Sequence, residues 1–463
     1  MLLTASFFIN LNFNVLVIFR DMFDHLLLSV KGKIVNKVCL IRYAMLLWAL
    51  SLSLIMFSAV SGADFVKGAD ISWVPGQESN GIVFKDSSGK QRDIIDILKN
   101  DYQINTIRLR VFVNPSNDWG NGMCDIASTV GMAKRLKNAG MQLMLSLHYS
   151  DSWADPSKQN PPAAWKNYTV TQLETAVYSH TKEVMEALSK EGIYPVYVQI
   201  GNETNNGMLW ENGKASTATG MSNYARFVTA GNKAVKEVSS STQTVVHVSN
   251  GFDNSLFSWN IGGLITNGAK FDVIGMSAYP EYAPNTTVDD WADFNSKVFS
   301  NVASMISTYK KPVILSETGM HYTAQKQCQN MLSDMIVKLK AIKNNMGLGV
   351  LYWEPQAGPG YNRGYNLGAW DANGRPTQAL KGFIENTTPI QQSRIFYSSE
   401  KRVTTDIFRI SSNASVTLYQ LDGRSVYKGP GTDNIRKFIP GNGVFFLNIN
   451  RSGLSTNYSI VTK

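Results

Sequence analysis

Cysteine is scarce in this 463-residue chain: three residues, at positions 39, 124 and 328, too few to staple a small disulfide fold. Cys124 and Cys328 are left either to pair with each other or to stay as two thiols. The five histidines fall in no zinc-like Cys/His spacing and in no HExxH pattern, so no metal and no other cofactor is expected. No GxGxxG follows the first strand-like run, which weighs against a dinucleotide-binding sheet. The central region also lacks net charge. The formal total is +9, but residues 1–63 hold five Lys/Arg against two Asp, and residues 388–463 hold ten Lys/Arg against four Asp/Glu. These two ends account for the whole excess, so residues 64–387 are neutral. A neutral body argues against nucleic acid as a partner and suits an uncharged substrate. What remains is an ordinary globular composition, 44% hydrophobic and 17% charged, long enough for one large domain and a small one.

Residues 1–63 read as a leader. Lys37 and Arg42 precede an apolar run from Ala44 to Val60, which ends in Ser61-Gly62-Ala63, a small-x-small cleavage pattern. The alternative is an uncleaved membrane anchor. A second apolar patch lies upstream, and it places the expected translation start near Met45 or a little upstream of it. The mature protein is expected to begin near Asp64 and to be exported, hence secreted or held at the cell surface.

From Asp64 onward, strand-like and helix-like segments alternate. The strand patterns are Val66–Ser72, Thr106–Val113, Gln142–Tyr149, Pro195–Glu203, Thr244–Asn250, Phe271–Tyr279, Pro312–Thr318 and Gly349–Pro355. Helical spacing fills the gaps, as in Leu332, Met335, Ile336 and Leu339. Eight strand–helix pairs over residues 64–387 predict an α/β fold, a (β/α)8 or TIM barrel, with an open doubly wound sheet as the competitor. Near Thr387-Thr388-Pro389 the helical pattern stops. Short alternating runs separated by Asp422-Gly423 and Gly441-Asn442-Gly443 predict a small all-β sandwich over residues 388–463.

Two of the strand patterns end in a glutamate: Gln199-Ile200-Gly201-Asn202-Glu203 and Leu315-Ser316-Glu317-Thr318. In a closed barrel the strand ends converge on one face, and the fourth and seventh strands lie on opposing walls. Glu203 and Glu317 would then face each other, as a pair of carboxyls must to cleave a glycosidic bond. Either one alone could be a plain surface carboxylate. Arg108 and Arg110 share a face of the second strand and could keep a carboxylate ionised, or could serve as structural ion pairs. His148, Asp151 and Trp153 end the third strand in a cluster suited to sugar. Asn202 could hold a sugar hydroxyl, and Tyr279 could bond the nucleophile. Trp73, Trp153, Trp210 and Trp353 lie near strand ends, where indole faces could stack on sugar rings or simply join the core. Asn202-Glu203-Thr204 matches a glycosylation sequon, read here as accidental because a glycan would block the site.

Several stretches carry a more specific pattern: Gly68-Ala69-Asp70-Ile71-Ser72-Trp73, the run from Ile107 to Pro115, and His148-Tyr149-Ser150-Asp151-Ser152-Trp153-Ala154-Asp155-Pro156. With Gly207-Met208-Leu209-Trp210 and Tyr352-Trp353-Glu354-Pro355, they make residues 64–387 resemble glycoside hydrolase family 53, the endo-β-1,4-galactanases. The resemblance implies a retaining enzyme acting on β-1,4-galactan, with Glu203 as acid/base and Glu317 as nucleophile. Two departures, Ala278 before Tyr279-Pro280 and Gly319-Met320-His321, are expected to alter the substrate groove. The connection after Thr318 is short, so the calcium held by some relatives is not expected. The tail from Val416 to Lys463 resembles a type IX secretion sorting domain, which implies secretion machinery as a partner; the competitor is a carbohydrate-binding module. A monomer is expected. The rivals for the whole chain are a β-glucan or mannan endo-glycanase of the same clan and a non-catalytic surface glycan-binding protein.

Overall fold

The computed structural model describes residues 64–116 and 123–385, together with four strands between residues 415 and 462. The leader expected over residues 1–63 lies outside the described residues. Among the described residues no helix is long and apolar enough to cross a membrane. The chain divides into two compact units.

The first unit is a closed barrel of eight parallel strands in sequence order. They are β1 (Val66–Asp70), β2 (Thr106–Val111), β3 (Gln142–Leu147), β4 (Tyr197–Ile200), β5 (Gln243–Val248), β6 (Val273–Ala278), β7 (Val313–Thr318) and β8 (Gly347–Trp353). Every strand pairs in parallel with the next, and β8 returns to β1, with Asp70 opposite Trp353. The open-sheet alternative is excluded by that closure. Six long helices pack outside: α1 (Ile126–Asn138), α2 (Val170–Lys190), α3 (Ala218–Val238), α4 (Asn254–Thr266), α5 (Trp291–Tyr309) and α6 (Gln325–Ala341).

Local chemistry accounts for the helix starts. Asp125 accepts the Ser128 N–H at α1, and Asp253 accepts the Leu256 N–H at α4. Thr169 and Gln172 form a reciprocal capping box at α2, which satisfies donors that the first turn leaves free. On α6 the spacing read from sequence is the buried stripe: Leu332, Met335, Ile336 and Leu339 are all inside.

Inside the barrel, Val66, Met144, Tyr197, Val245, Val273, Ile314 and Leu351 form an apolar plug. Two residues further along the same strand faces the interior turns polar: Ser146 after Met144, Gln199 after Tyr197, His247 after Val245. Period-two alternation alone produces this, because residues i and i+2 share a face. The plug thus forms a dry base beneath a polar layer at the carboxyl ends.

One irregularity matters for that layer. Met276 pairs with Leu315, but Ser277 pairs with Glu317, so Ser316 is an extra residue on β7. Such a bulge turns the residues beyond it by one position. Without it Glu317 would point away from the face that carries Ile314; with it Glu317 shares a face with Ser277.

In the second unit the described strands are β9 (Ser415–Gln420), β10 (Ser425–Pro430), β11 (Gly443–Arg451) and β12 (Leu454–Thr462). They form one antiparallel sheet in the order β10-β9-β11-β12. The all-β character matches the sequence reading. The second layer that a sandwich needs is not among the described residues.

Candidate active site

The site groups sit at or near the carboxyl ends of the strands, except Arg108, which lies in the middle of β2. β4 stops at Ile200, and Gly201 turns left-handed with φ of 85°. A Cβ at Gly201 would also lie 2.6 Å from the Thr204 methyl, so glycine is required there. Glu203 itself takes φ of 45°, a conformation a side-chain-bearing residue adopts at a cost of order 1–3 kcal/mol. The kink delivers its carboxyl toward β6, where the Ser277 hydroxyl donates to Glu203 Oε1 at 2.7 Å. Glu317 is the ladder partner of that same serine. Parallel neighbours lie about 4.8 Å apart, so one residue of β6 links the two glutamates. Ser277 and its neighbours bring together the two carboxyls that the sequence left about a hundred residues apart.

The two carboxyls have different environments. Arg108 Nη1 contacts Glu317 Oε1 at 2.7 Å, and the Tyr279 hydroxyl donates to Glu317 Oε2 at 3.2 Å. Among the described residues no cation forms an ion pair with Glu203. Burial pushes both acids up, but Arg108 pulls Glu317 back toward the charged form. Glu203 is raised by burial and then by the Glu317 charge, to about 8. A coupled pair of this kind holds one proton over a wide range, and the geometry puts that proton on Glu203.

Arg108 is fully buried and is the hub of the polar layer. Besides Glu317, its Nη1 donates to Asp70 Oδ2 at 2.9 Å, and its Nη2 to Ser146 Oγ and Asn202 Oδ1, each at 2.9 Å. Asn202 donates from its amide to Ala154 O at 2.9 Å, which leaves its second N–H available. Both Asn202 and Thr204 are buried, so the sequon offers a glycan no surface.

Arg110 takes the second of the two roles the sequence offered, a structural ion pair. It does not reach either carboxyl of the pair. Its Nη1 donates to Glu354 Oε1 at 2.7 Å, and its guanidinium lies 4.2 Å from the Trp153 ring centre. Glu354, at the end of β8, also accepts from the Trp73 N–H and from Gln356. The ion pair thus braces a cluster in which Trp73 lies 5.0 Å from Trp353 and 6.1 Å from Trp153. Trp153 and Trp353 are half-buried and present ring surface. Trp73 is 2% exposed: Tyr361 and Tyr365 pack against it as well, so it supports the platform and cannot itself meet a sugar. Trp210 is held differently, with its indole N–H on Asn206 O and Lys214 over its ring.

His148 accepts the Ala154 N–H on Nδ1 at 3.2 Å. Burial and the two arginines hold it well below the usual imidazole range, so the ring is neutral and Nε2 bears the hydrogen. Nε2 is itself buried and has no hydrogen-bond partner among the described residues. Asp151 has partners within the protein. Its two oxygens accept the N–H groups of Asn114 and Ala163, so it pins the loops after β2 and β3. Of the positions expected to alter the groove, Ala278 is buried because it alternates away from the face of Ser277 and Tyr279, and Met320 is buried too, whereas a Cβ at Gly319 would lie 3.2 Å from the Tyr279 ring. Cys124 and Cys328 are both unpaired and buried.

Asp70, Ser146, Gln199, His247, Ser277 and Glu354 also belong to the site and were missed. For His247 a signal existed: in Thr244-Val245-Val246-His247-Val248 it shares parity with Val245, which puts a buried imidazole on the inner face.

Comparison with known proteins agrees with this geometry. The model of "Glycosyl hydrolase family 53" matches residues 66–389. The chain is 33% identical to a probable arabinogalactan endo-beta-1,4-galactanase A of Neosartorya fischeri, over 65% of this chain and 87% of that one. It is 31% identical to an endo-beta-1,4-galactanase of Bacillus subtilis, over 63% of this chain and 70% of that one. Among solved structures, the family 53 catalytic domain of Ignisphaera aggregans superimposes with a TM-score of 0.62 at 29% identity, covering 70% of this chain and 97% of that one. Two carboxyls joined through one strand, an arginine hub and a matching family model lead to one conclusion: this chain belongs to glycosyl hydrolase family 53.

Proposed function

We propose that the protein is a retaining endo-β-1,4-galactanase that cuts β-1,4-galactan within the chain. The observation that carries this reading is the asymmetry of the two glutamates, one held by a guanidinium and one with none. Glu317 attacks the anomeric carbon as its carboxylate while Glu203 protonates the departing glycosidic oxygen, so the C–O bond breaks as the ester bond to Glu317 forms. Glu203, now deprotonated, takes a proton from water. That water displaces Glu317 and releases the sugar with its β configuration. Trp153 and Trp353 offer ring faces to the sugar C–H groups, and the second N–H of Asn202 is placed for a hydroxyl.

The neutral central charge, the family membership and the galactanase relatives support galactan as substrate. Reducing-sugar release from galactan, β-glucan and mannan tests it. Galactan is expected to be cleaved fastest; preference for glucan or mannan would move the protein to a sister specificity, and binding without release would make it a glycan-binding protein.

The pH profile has a required sign. Activity needs Glu317 ionised and Glu203 protonated. Both acids are raised, so kcat/KM is expected to rise along an acidic limb above the ordinary carboxyl range and to fall along a basic limb near pH 8. A basic limb already complete at pH 5 would remove Glu203 from the role of acid.

Export through the leader and delivery by a type IX-like sorting domain are further parts of this proposal. They are supported by the residue patterns of 37–63 and 416–463. Mass spectrometry of the protein from culture medium, with its first residue identified, checks them.

A further inference from the structure

A ring of hydrogen bonds behind Glu203 has a fixed direction. His247, on β5, is fully buried. Its Nδ1 faces the backbone N–H of Glu203 at 3.4 Å and the Gln199 amide nitrogen at 2.9 Å. Asn202 Oδ1 lies 3.2 Å away but already accepts from Arg108. A backbone N–H can only donate, so Nδ1 accepts. Burial and the Arg108 charge hold the imidazole well below its usual range, so the ring is neutral and carries its one hydrogen on Nε2. That nitrogen lies 2.8 Å from Ser277 Oγ. Ser277 therefore accepts from His247 and has a single hydrogen left, which goes to Glu203 Oε1 at 2.7 Å.

The consequence falls on Glu203. An oxygen that is obliged to accept from Ser277 is the wrong one to carry the acid proton. We propose that His247 and Ser277 are positioning residues that confine the Glu203 proton to Oε2 and aim that oxygen at the scissile bond. This inference rests on the reading of Glu203 as acid/base. Neither residue touches substrate; both act through the carboxyl. The ring also closes on itself, because the backbone N–H of Glu203 is held by the same imidazole. The kinked main chain and the carboxyl it presents are thus locked by one side chain from β5.

Other groups face Glu203 as well: Glu317 from β7, Arg108 from β2, Asp155 from the loop after β3, and Tyr279 and Tyr282 beyond β6. Of the groups around the carboxyl, Ser277 is the one that donates directly to Glu203 Oε1. A donor to a carboxylate stabilises its charged form. Removing it should therefore raise the Glu203 pKa, and because the acid works protonated, the basic limb should move to higher pH.

The test compares Ser277→Ala with wild type on two substrates: galactan, whose leaving group needs the proton, and 2,4-dinitrophenyl β-1,4-galactobioside, whose leaving group departs unaided. We expect kcat/KM on galactan to fall about tenfold, a fraction of what the whole acid contributes, and to fall much less on the aryl glycoside. The basic limb on galactan should rise by roughly one pH unit, the scale of a hydrogen bond to a charged group. Ser277→Thr, which keeps the hydroxyl, should restore both, and His247→Gln should move the limb in the same direction as Ser277→Ala. Equal losses on both substrates, or an unmoved limb, would overturn the proposal by making the ring merely structural. Glu203→Ala separates the two levels. If it also fails to discriminate between the substrates, the acid/base assignment itself is wrong. If it discriminates and Ser277→Ala does not, only the positioning role is lost.

Discussion

Exchanging Glu317 for Gln is expected to lower kcat on galactan by on the order of 10⁴-fold or more, as the loss of a covalent nucleophile does. The amide keeps the shape of the side chain but cannot form the glycosyl ester. The fold should survive, for two reasons. Arg108 keeps its contacts to Asp70, Ser146 and Asn202. A buried acid that burial itself disfavours is replaced by a neutral group. A Tm within a few degrees of wild type is therefore part of the expected result. Glu203→Gln should also fall by orders of magnitude on galactan. Azide then distinguishes the two positions. With Glu203→Ala and an activated aryl substrate, azide should intercept the glycosyl-enzyme and give the β-galactosyl azide. With Glu317→Ala no ester forms, so azide should attack the substrate directly and give the α anomer. The opposite pair of anomers would reverse the roles, and near-wild-type rates in either Gln variant would end the assignment.

The second large effect is expected from Arg108→Met. This side chain is completely buried between Asp70 and Glu317, at 2.9 and 2.7 Å. Removing the cation leaves Glu317 in a low-dielectric layer without its ion-pair partner, and leaves Asp70 with only the longer 3.6 Å contact to Arg110 and its hydrogen bonds from Ser72. Breaking one side of a buried pair costs about 3–5 kcal/mol, so Tm should drop by roughly 10 °C. Activity should suffer separately. Arg108 favours the ionised form of Glu317, so its loss raises that pKa. Because the nucleophile works ionised, the acidic limb of kcat/KM moves to higher pH. A stability loss with an unmoved acidic limb would mean that Arg108 holds the barrel together without tuning the nucleophile. Arg110→Met is the matched comparison: it pairs with Glu354 at 2.7 Å and Asp70 at 3.6 Å and makes no ion pair with Glu317, so it should move the acidic limb far less than Arg108→Met does.

Much of this was legible in the sequence because it depends on local pattern. The alternation of apolar runs and helical spacing determined eight strand–helix units, and chain length alone then favours closure. The glutamates at the ends of β4 and β7, the tyrosine after β6 and the histidine after β3 all lie where a strand ends. Strand ends converge whatever the side-chain details, so their meeting followed from topology.

The tertiary structure decided which way those side chains point and what each one touches. Period-two counting from Ile314 sends Glu317 outward; the extra residue at Ser316 turns it in, and a bulge has no local sequence signature here. Arg108 and Arg110 look equivalent on one strand, yet one layer of depth gives the first to Glu317 and the second to Glu354. Trp73 sits at a strand end like Trp353, but two tyrosines from the loop after β8 cover it. The Ser277–His247 ring joins β4, β5 and β6, and its direction depends on a backbone N–H that faces the imidazole only because Glu203 is kinked. Sequence pattern reports which residues share a strand face; which of them become neighbours depends on strand register and chain reversal, and those are set by packing across the whole barrel.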